Sequence, residues 1–115
     1  MANTNATAAV ARDGGTVTGL SETFDTTGNG QWFTPAPGAF NVFVDFSAGS
    51  GVGSMQLMCR RGSGAALPNT ANGSTLYVFT GNAREILVEV EPGVSYRWAA
   101  TISSGSISTT MSQFA

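Results

Sequence analysis

The sequence predicts an all-β fold: an antiparallel β-sandwich, jelly-roll-like, of about eight strands, with an extended N-terminal arm. Three observations carry this expectation. Apolar residues recur with a period of two through most of the chain, as one face of a pleated strand requires. Turns marked by Gly, Pro and Asn interrupt that pattern every 8–12 residues or so, the spacing of short antiparallel strands. No window of about ten residues shows the period of an amphipathic helix.

The elements follow in order. Residues 1–14, "MANTNATAAVARDG", offer small side chains and little to anchor a core, and read as an arm, either without fixed structure or extended along a partner. Residues 15–115 read as one domain. "TVTGLSETF" (16–24) begins the alternation. "GQWFTP" (30–35) reads as a short strand stopped by Pro35 and Pro37, which donate no ladder hydrogen bonds. In "AFNVFVDF" (39–46), Phe40, Val42, Val44 and Phe46 share a face. "SAGSGVGS" (47–54) reads as a flexible turn before "MQLMCRR" (55–61), where Met55, Leu57 and Cys59 share a face. "GSGAALPNTANGS" (62–74) is the longest irregular stretch, with an Asn-Gly turn signal.

"TLYVFT" (75–80) and "REILVEVE" (84–91) follow, the second with Ile86, Val88 and Val90 expected inward and Glu85, Glu89 and Glu91 outward. Val94, Tyr96, Trp98, Ala100 and Ile102 line one face of a penultimate strand. A Ser-Ser-Gly-Ser joint then leads to a last strand over 105–113, the two forming a closing hairpin. The expected core contains Phe40, Val42, Val44, Leu57, Val78, Val88, Tyr96 and Trp98.

Composition narrows function. The 115 residues contain no histidine, and 10% are charged, against roughly 25% in an average soluble protein. Lysine is absent too, so Arg12, Arg60, Arg61, Arg84 and Arg97 carry all the side-chain positive charge. A net charge of −2 argues against non-specific nucleic-acid binding, which needs clustered cations. No apolar run is long enough to span a membrane as a helix, and the N-terminus lacks the basic start and apolar core of a secretory signal. Cys59 is the single cysteine, so neither an intrachain disulfide nor a cysteine metal site is expected; it reads as a small buried hydrophobe.

Catalytic constellations are equally absent from the sequence. Without histidine there is no Ser-His-Asp triad and no imidazole ligand or base. Glu85, Glu89 and Glu91 lie on one strand and read as a solvated or partner-facing stripe. Asp13, Glu22, Asp25 and Asp45 lack the spacing of a calcium loop. The chain is therefore expected not to be an enzyme and to hold no cofactor or metal. Low charge suits a surface pressed against neighbours. Arginine forms bidentate pairs with carboxylates across interfaces, which makes Arg60, Arg61, Arg84 and Arg97 candidate interface residues. Arg12 and Asp13 are candidate anchors where arm meets domain. Trp32 is either core edge or interface; exposed, it could stack on a sugar ring, as in a carbohydrate-binding module.

Two segments carry a likeness to a known family. "PGVSYRWAATISSGSISTTMSQ" (92–113) and "GNGQWFTPAPGAFNVFVDFSAGSGVGSMQLMCRR" (28–61) resemble small bacteriophage virion proteins of the capsid decoration, or cement, type. The shared features are a Tyr-Arg strand followed by a Ser-Gly joint and a Ser/Thr strand, and an aromatic-Thr-Pro segment before an alternating Phe/Asn/Val strand. "RRGSGAALPNTANG" (60–73) departs from the Asp-Gly-Gly type of turn expected after the arginine strand. The resemblance implies a structural protein of a tailed-phage virion, on the capsid surface, made in the host bacterial cytoplasm. It implies the major capsid protein as partner and a homo-oligomer, dimer or trimer, with no nucleic acid or membrane partner. The alternative is a tail- or fibre-associated module that binds a carbohydrate or receptor. Far-ultraviolet circular dichroism of the purified protein should show a β spectrum; a helical double minimum would overturn the fold expectation.

Overall fold

The computed structural model of the protein describes residues 4–12, 15–68, 70–71 and 75–114. Ten strands occur among them: β1 (Thr4–Arg12), β2 (Gly15–Phe24), β3 (Gly28–Asn29), β4 (Gly38–Arg61), β5 (Leu67–Pro68), β6 (Thr70–Ala71), β7 (Thr75–Leu76), β8 (Val78–Phe79), β9 (Ala83–Glu89) and β10 (Val94–Phe114). All pairings are antiparallel, and none of the described residues is helical.

One ribbon organises the rest. β4 and β10 pair from Val94↔Arg61 to Ser112↔Asn41, with register shifts between Ile102 and Ser108. Those shifts divide the ribbon into two halves. The half containing residues 38–46 of β4 and 107–114 of β10 is flanked by β2 and then β1 on one side and by β9 on the other. The other half is flanked by β3 on one side and by β5 and β8 on the other. The two halves face each other, since the ring of Phe40 in the first lies 4.9 Å from that of Tyr96 in the second. The result is a β-sandwich whose two layers share their central strands.

The bend explains two differences from the sequence expectation. Residues 47–54, expected as a flexible turn, belong to β4, and the 94–113 stretch is no hairpin. Each runs on through the bend paired to the other, so both small-residue segments serve as the crease of one ribbon. Small residues are needed there because two backbones cross closely. Gly53 has φ +150° and Gly105 φ +65°, conformations open to glycine and strained for other residues. A side chain at Gly53 would collide with the Thr101 carbonyl oxygen, and one at Gly105 with that of Ser50.

Between the layers lie Leu20, Phe24, Phe33, Phe40, Val42, Val44, Phe46, Met55, Leu57, Tyr96, Trp98, Ala100, Ile107 and Met111. The expected core is thus present at Phe40, Val42, Val44, Leu57, Tyr96 and Trp98. Val78 and Val88 are corrections. Val88 pairs with Ala39, whose neighbour Phe40 points inward, so the register places Val88 outside and Leu87, opposite Phe40, inside. Ile86 and Val90, expected inward, share Val88's side and are 58% and 79% exposed. Val78 pairs with the outward Gln56, while Tyr77 and Phe79 pack against the core.

The segment expected as a strand over 30–35 is an irregular edge. Its backbone hydrogen bonds to β10 are the Gly30 N–H to the Trp98 carbonyl (2.8 Å) and a reciprocal pair between Phe33 and Tyr96 (2.7 and 2.8 Å). Residues 75–80, likewise expected as one strand, split into β7 and β8. Within the stretch expected as an arm, residues 4–12 form β1 along β2, and residues 1–3 and 13–14 lie outside the described residues.

The end of the sandwich away from the crease is closed by side chains. Gln113 accepts from the Ala36 N–H (2.8 Å) and donates to the Ala36 and Ala39 carbonyls (2.8 and 3.2 Å), fixing the Pro35–Pro37 crossover between layers. Loss of a buried amide's bonds costs about 1–3 kcal/mol, so Gln113→Leu should lower stability by that amount in denaturant unfolding. Leu57→Ala should cost about 2–5 kcal/mol, and Val88→Ala less than about 0.5 kcal/mol. A Val88→Ala loss as large as that of Leu57→Ala would overturn the assigned face of β9.

Candidate functional site

Three of the seven sequence-derived candidates come together. The inward turn of Tyr96, Trp98, Leu57 and Cys59 sends their neighbours Arg97, Met58 and Arg60 to the outer face of the second layer. Arg97 lies opposite Met58, and Arg60 opposite Ser95, so the two arginines are diagonal neighbours across the ribbon. Phe33 opposite Tyr96 brings Trp32 alongside Arg97. The Arg60 guanidinium lies 4.2 Å from the Trp32 ring centroid and that of Arg97 4.4 Å. Beside them Thr34 Oγ1 and Ser95 Oγ are hydrogen-bonded at 2.6 Å.

The cluster is electrostatically balanced rather than strongly favourable. Two cations less than about 9 Å apart repel by roughly 2 kcal/mol at a near-surface effective dielectric of 20. Each guanidinium–indole contact returns about 0.5–1 kcal/mol when exposed and about 2 when desolvated. The Nε atoms of both arginines are buried and have no hydrogen-bond partner among the described residues.

The other candidates stand apart. Arg61 pairs with Glu91 at 2.5 Å on an exposed surface, a contact worth about 0–1 kcal/mol. Arg84 donates to Asn41 Oδ1 (3.1 Å) and lies 5.4 Å from the Phe43 ring centroid. Arg12 is in β1, where only its backbone pairing with Gly15 is described, and Asp13 lies outside the described residues. Sequence reasoning missed the apolar margin of the first layer. There Ile86 (58% exposed) and Val88 (66%) line the outer side of the edge strand β9, with Val90 (79%) just past its end and Phe43 beside them on β4. The alternation that suggested burial was the available signal; only its sense was reversed.

Two carboxylates perform structural work. Glu22, buried on β2, accepts from the Gln31 N–H (2.8 Å). Gly30 is required beside it, because a Cβ there would meet both Glu22 carboxylate oxygens and Phe24 Cζ at 2.8 Å or closer. Glu89 accepts from the Tyr96 hydroxyl (2.5 Å), joining the two layers. Burial first, and then this bond, push the Tyr96 phenol well above its ordinary value. Burial and the nearby Glu89 charge likewise push the Cys59 thiol up. At the crease, the Ser47 hydroxyl and the Ser47 and Ala48 N–H groups hold the Asp45 carboxyl below its usual range.

No known family's sequence profile matches the chain, and no curated protein matches it. Solved structures do resemble it in fold. Hydroxypropylphosphonic acid epoxidase from S. wedmorenis matches with a TM-score of 0.50 and 13% identity, over 96% of this chain and 50% of the epoxidase. The Drosophila melanogaster CENP-C cupin domain matches with a TM-score of 0.46 and 10% identity, over 95% of this chain and 75% of that domain. The chain thus spans about half the length of the epoxidase. At this identity the epoxidase likeness concerns fold alone, and it agrees with the β-sandwich.

The chain has no histidine, and the described residues hold no group of three or more His, Cys, Asp or Glu able to ligate an ion. The space between the layers is filled by Phe24, Phe40, Leu57, Trp98, Ile107 and Met111.

The raised Tyr96 and Cys59 groups give a pH expectation. A group held more tightly protonated in the fold than in the unfolded chain stabilises the fold below its unfolded pKa, and that stability is lost as pH rises. The ordinary values are 9.0 for the thiol and 10.0 for the phenol, so the denaturant midpoint should fall above about pH 9. Tyr96→Phe should flatten the part of the fall above about pH 10. An unchanged slope in that variant would refute the assignment.

Proposed function

We propose that this chain is a structural virion protein of a tailed bacteriophage, a capsid decoration or cement protein that binds the major capsid protein shell and other copies of itself. The observation that carries the reading is the exposed apolar margin of Phe43 on β4, Ile86 and Val88 on β9, and Val90 just past its end, with the far side of β9 unpaired among the described residues. An edge strand of this kind is a template for association unless it is blunted or covered, and contiguous exposed apolar surface marks interaction sites. Low overall charge, a small sandwich and the likeness of residues 28–61 and 92–113 to decoration proteins support the same reading. A repeated lattice also multiplies modest contacts, because each shell offers many equivalent sites.

The rival reading, a sugar-binding tail or fibre module, would use the Trp32 ring as a stacking platform. That ring already carries two guanidiniums within 4.4 Å of its centroid, which disfavours it. Quantitative mass spectrometry of purified particles should find this protein in hundreds of copies, in proportion to the major capsid protein. A handful of copies per particle would move it to the tail. Val88→Glu should weaken attachment to undecorated capsids at least tenfold while leaving the melting temperature of the free protein unchanged.

A further inference from the structure

We propose that Arg60, Arg97 and Trp32 form a receptor for the carboxylates of an acidic segment in a protein partner. Of the four arginines whose side chains are described, Arg61 has its own glutamate and Arg84 an asparagine oxygen. Arg60 and Arg97 have no acidic or carbonyl partner among the described residues, and even their buried Nε atoms lack one. Two cations are therefore fixed side by side on paired strands, each lying against one indole, whose attraction does no more than offset their mutual repulsion, with no carboxylate beside them among the described residues. An incoming carboxylate relieves that repulsion and meets planar donors suited to a two-oxygen acceptor. Because the strands and the indole hold both guanidiniums in place before binding, little side-chain entropy remains to be lost.

The surroundings select the class of partner. Nucleic-acid binding draws on many phosphate contacts along a basic track, whereas this cluster has two cations on a chain of net charge −2. A polysaccharide would need the aromatic face that the guanidiniums cover. Met58, directly opposite Arg97, and the Thr34–Ser95 hydroxyl pair add an apolar contact and polar groups beside the cations. That combination suits a glutamate or aspartate side chain carried on a peptide. The inference does not depend on the capsid reading, since the cluster lies on the layer opposite to the apolar margin of β9.

The test uses the full chain and three probes at low ionic strength: a decamer of glutamate, inorganic phosphate and an oligogalacturonate of matched charge. Trp32 fluorescence reports binding directly, because the other tryptophan, Trp98, is fully buried. The glutamate decamer should give a saturable change, at least tenfold weaker in Arg60→Gln and in Arg97→Gln and unaltered in Arg84→Gln. Arg60→Lys and Arg97→Lys keep the charge and guard against misfolding; with melting unchanged, they should still weaken binding several-fold. No saturable binding of the decamer, or binding indifferent to Arg60 and Arg97, overturns the proposal. Phosphate or oligogalacturonate binding as tightly as the decamer overturns the assignment of a protein partner.

Discussion

Everything in this fold depends on the pairing of β4 with β10. Neither strand belongs to one layer: each crosses from the first to the second at a glycine-rich crease, and every other strand of the main sheet except β1 pairs directly with one of them. The register of that ribbon therefore sets the face on which each side chain lies. Shifting it by one residue would send Phe40, Leu57 and Trp98 to solvent together. The crease is as demanding as the core, because Gly53 and Gly105 sit where another residue's side chain would strike the opposing backbone.

The same register creates the functional surfaces. It turns Arg60 and Arg97 outward because Cys59, Tyr96 and Trp98 turn inward. It also exposes Ile86, Val88 and Val90 because Leu87 must meet Phe40. The two surfaces lie on opposite layers and differ in character. One is a pair of cations pinned to an indole, and the other is an apolar strand edge beside the cation Arg84. A protein with so few charges has placed two of them together with no carboxylate beside them among the described residues, held by an indole whose attraction does no more than offset their repulsion.

Much of this was legible in the sequence. The alternation at residues 39–46, 55–59 and 94–102 identified the central strands and most of the core, because a period of two is a local property of the chain. The inward or outward sense of β9 was not legible. "REILVEVE" alternates equally well in either sense, and the choice is made by hydrogen bonding to β4. The crease was misread for a related reason: a Ser/Gly stretch reads as a turn unless a second such stretch lies opposite it, and the two are about fifty residues apart in sequence. Trp32, Arg60 and Arg97 were each singled out, but their meeting required knowing that Phe33 pairs with Tyr96.

The layers are joined covalently at the crease and by side chains at the far end. There the Gln113 bonds, the Glu89–Tyr96 bond and the packed rings of Phe33, Phe40 and Tyr96 hold the two sheets together. The molecule is in this respect a clamshell, with its hinge fixed by backbone and its lips held by weaker contacts. Partial opening should begin at the lips, where local contacts can separate without breaking the ribbon. Cys59 sits beside Tyr96 on that side, so its thiol is a built-in reporter. The thiol is half-buried in the closed fold, so the rise in its rate of reaction with a small alkylating reagent as denaturant is added, over the rate in the closed fold, measures how often the shell opens without the whole fold being lost.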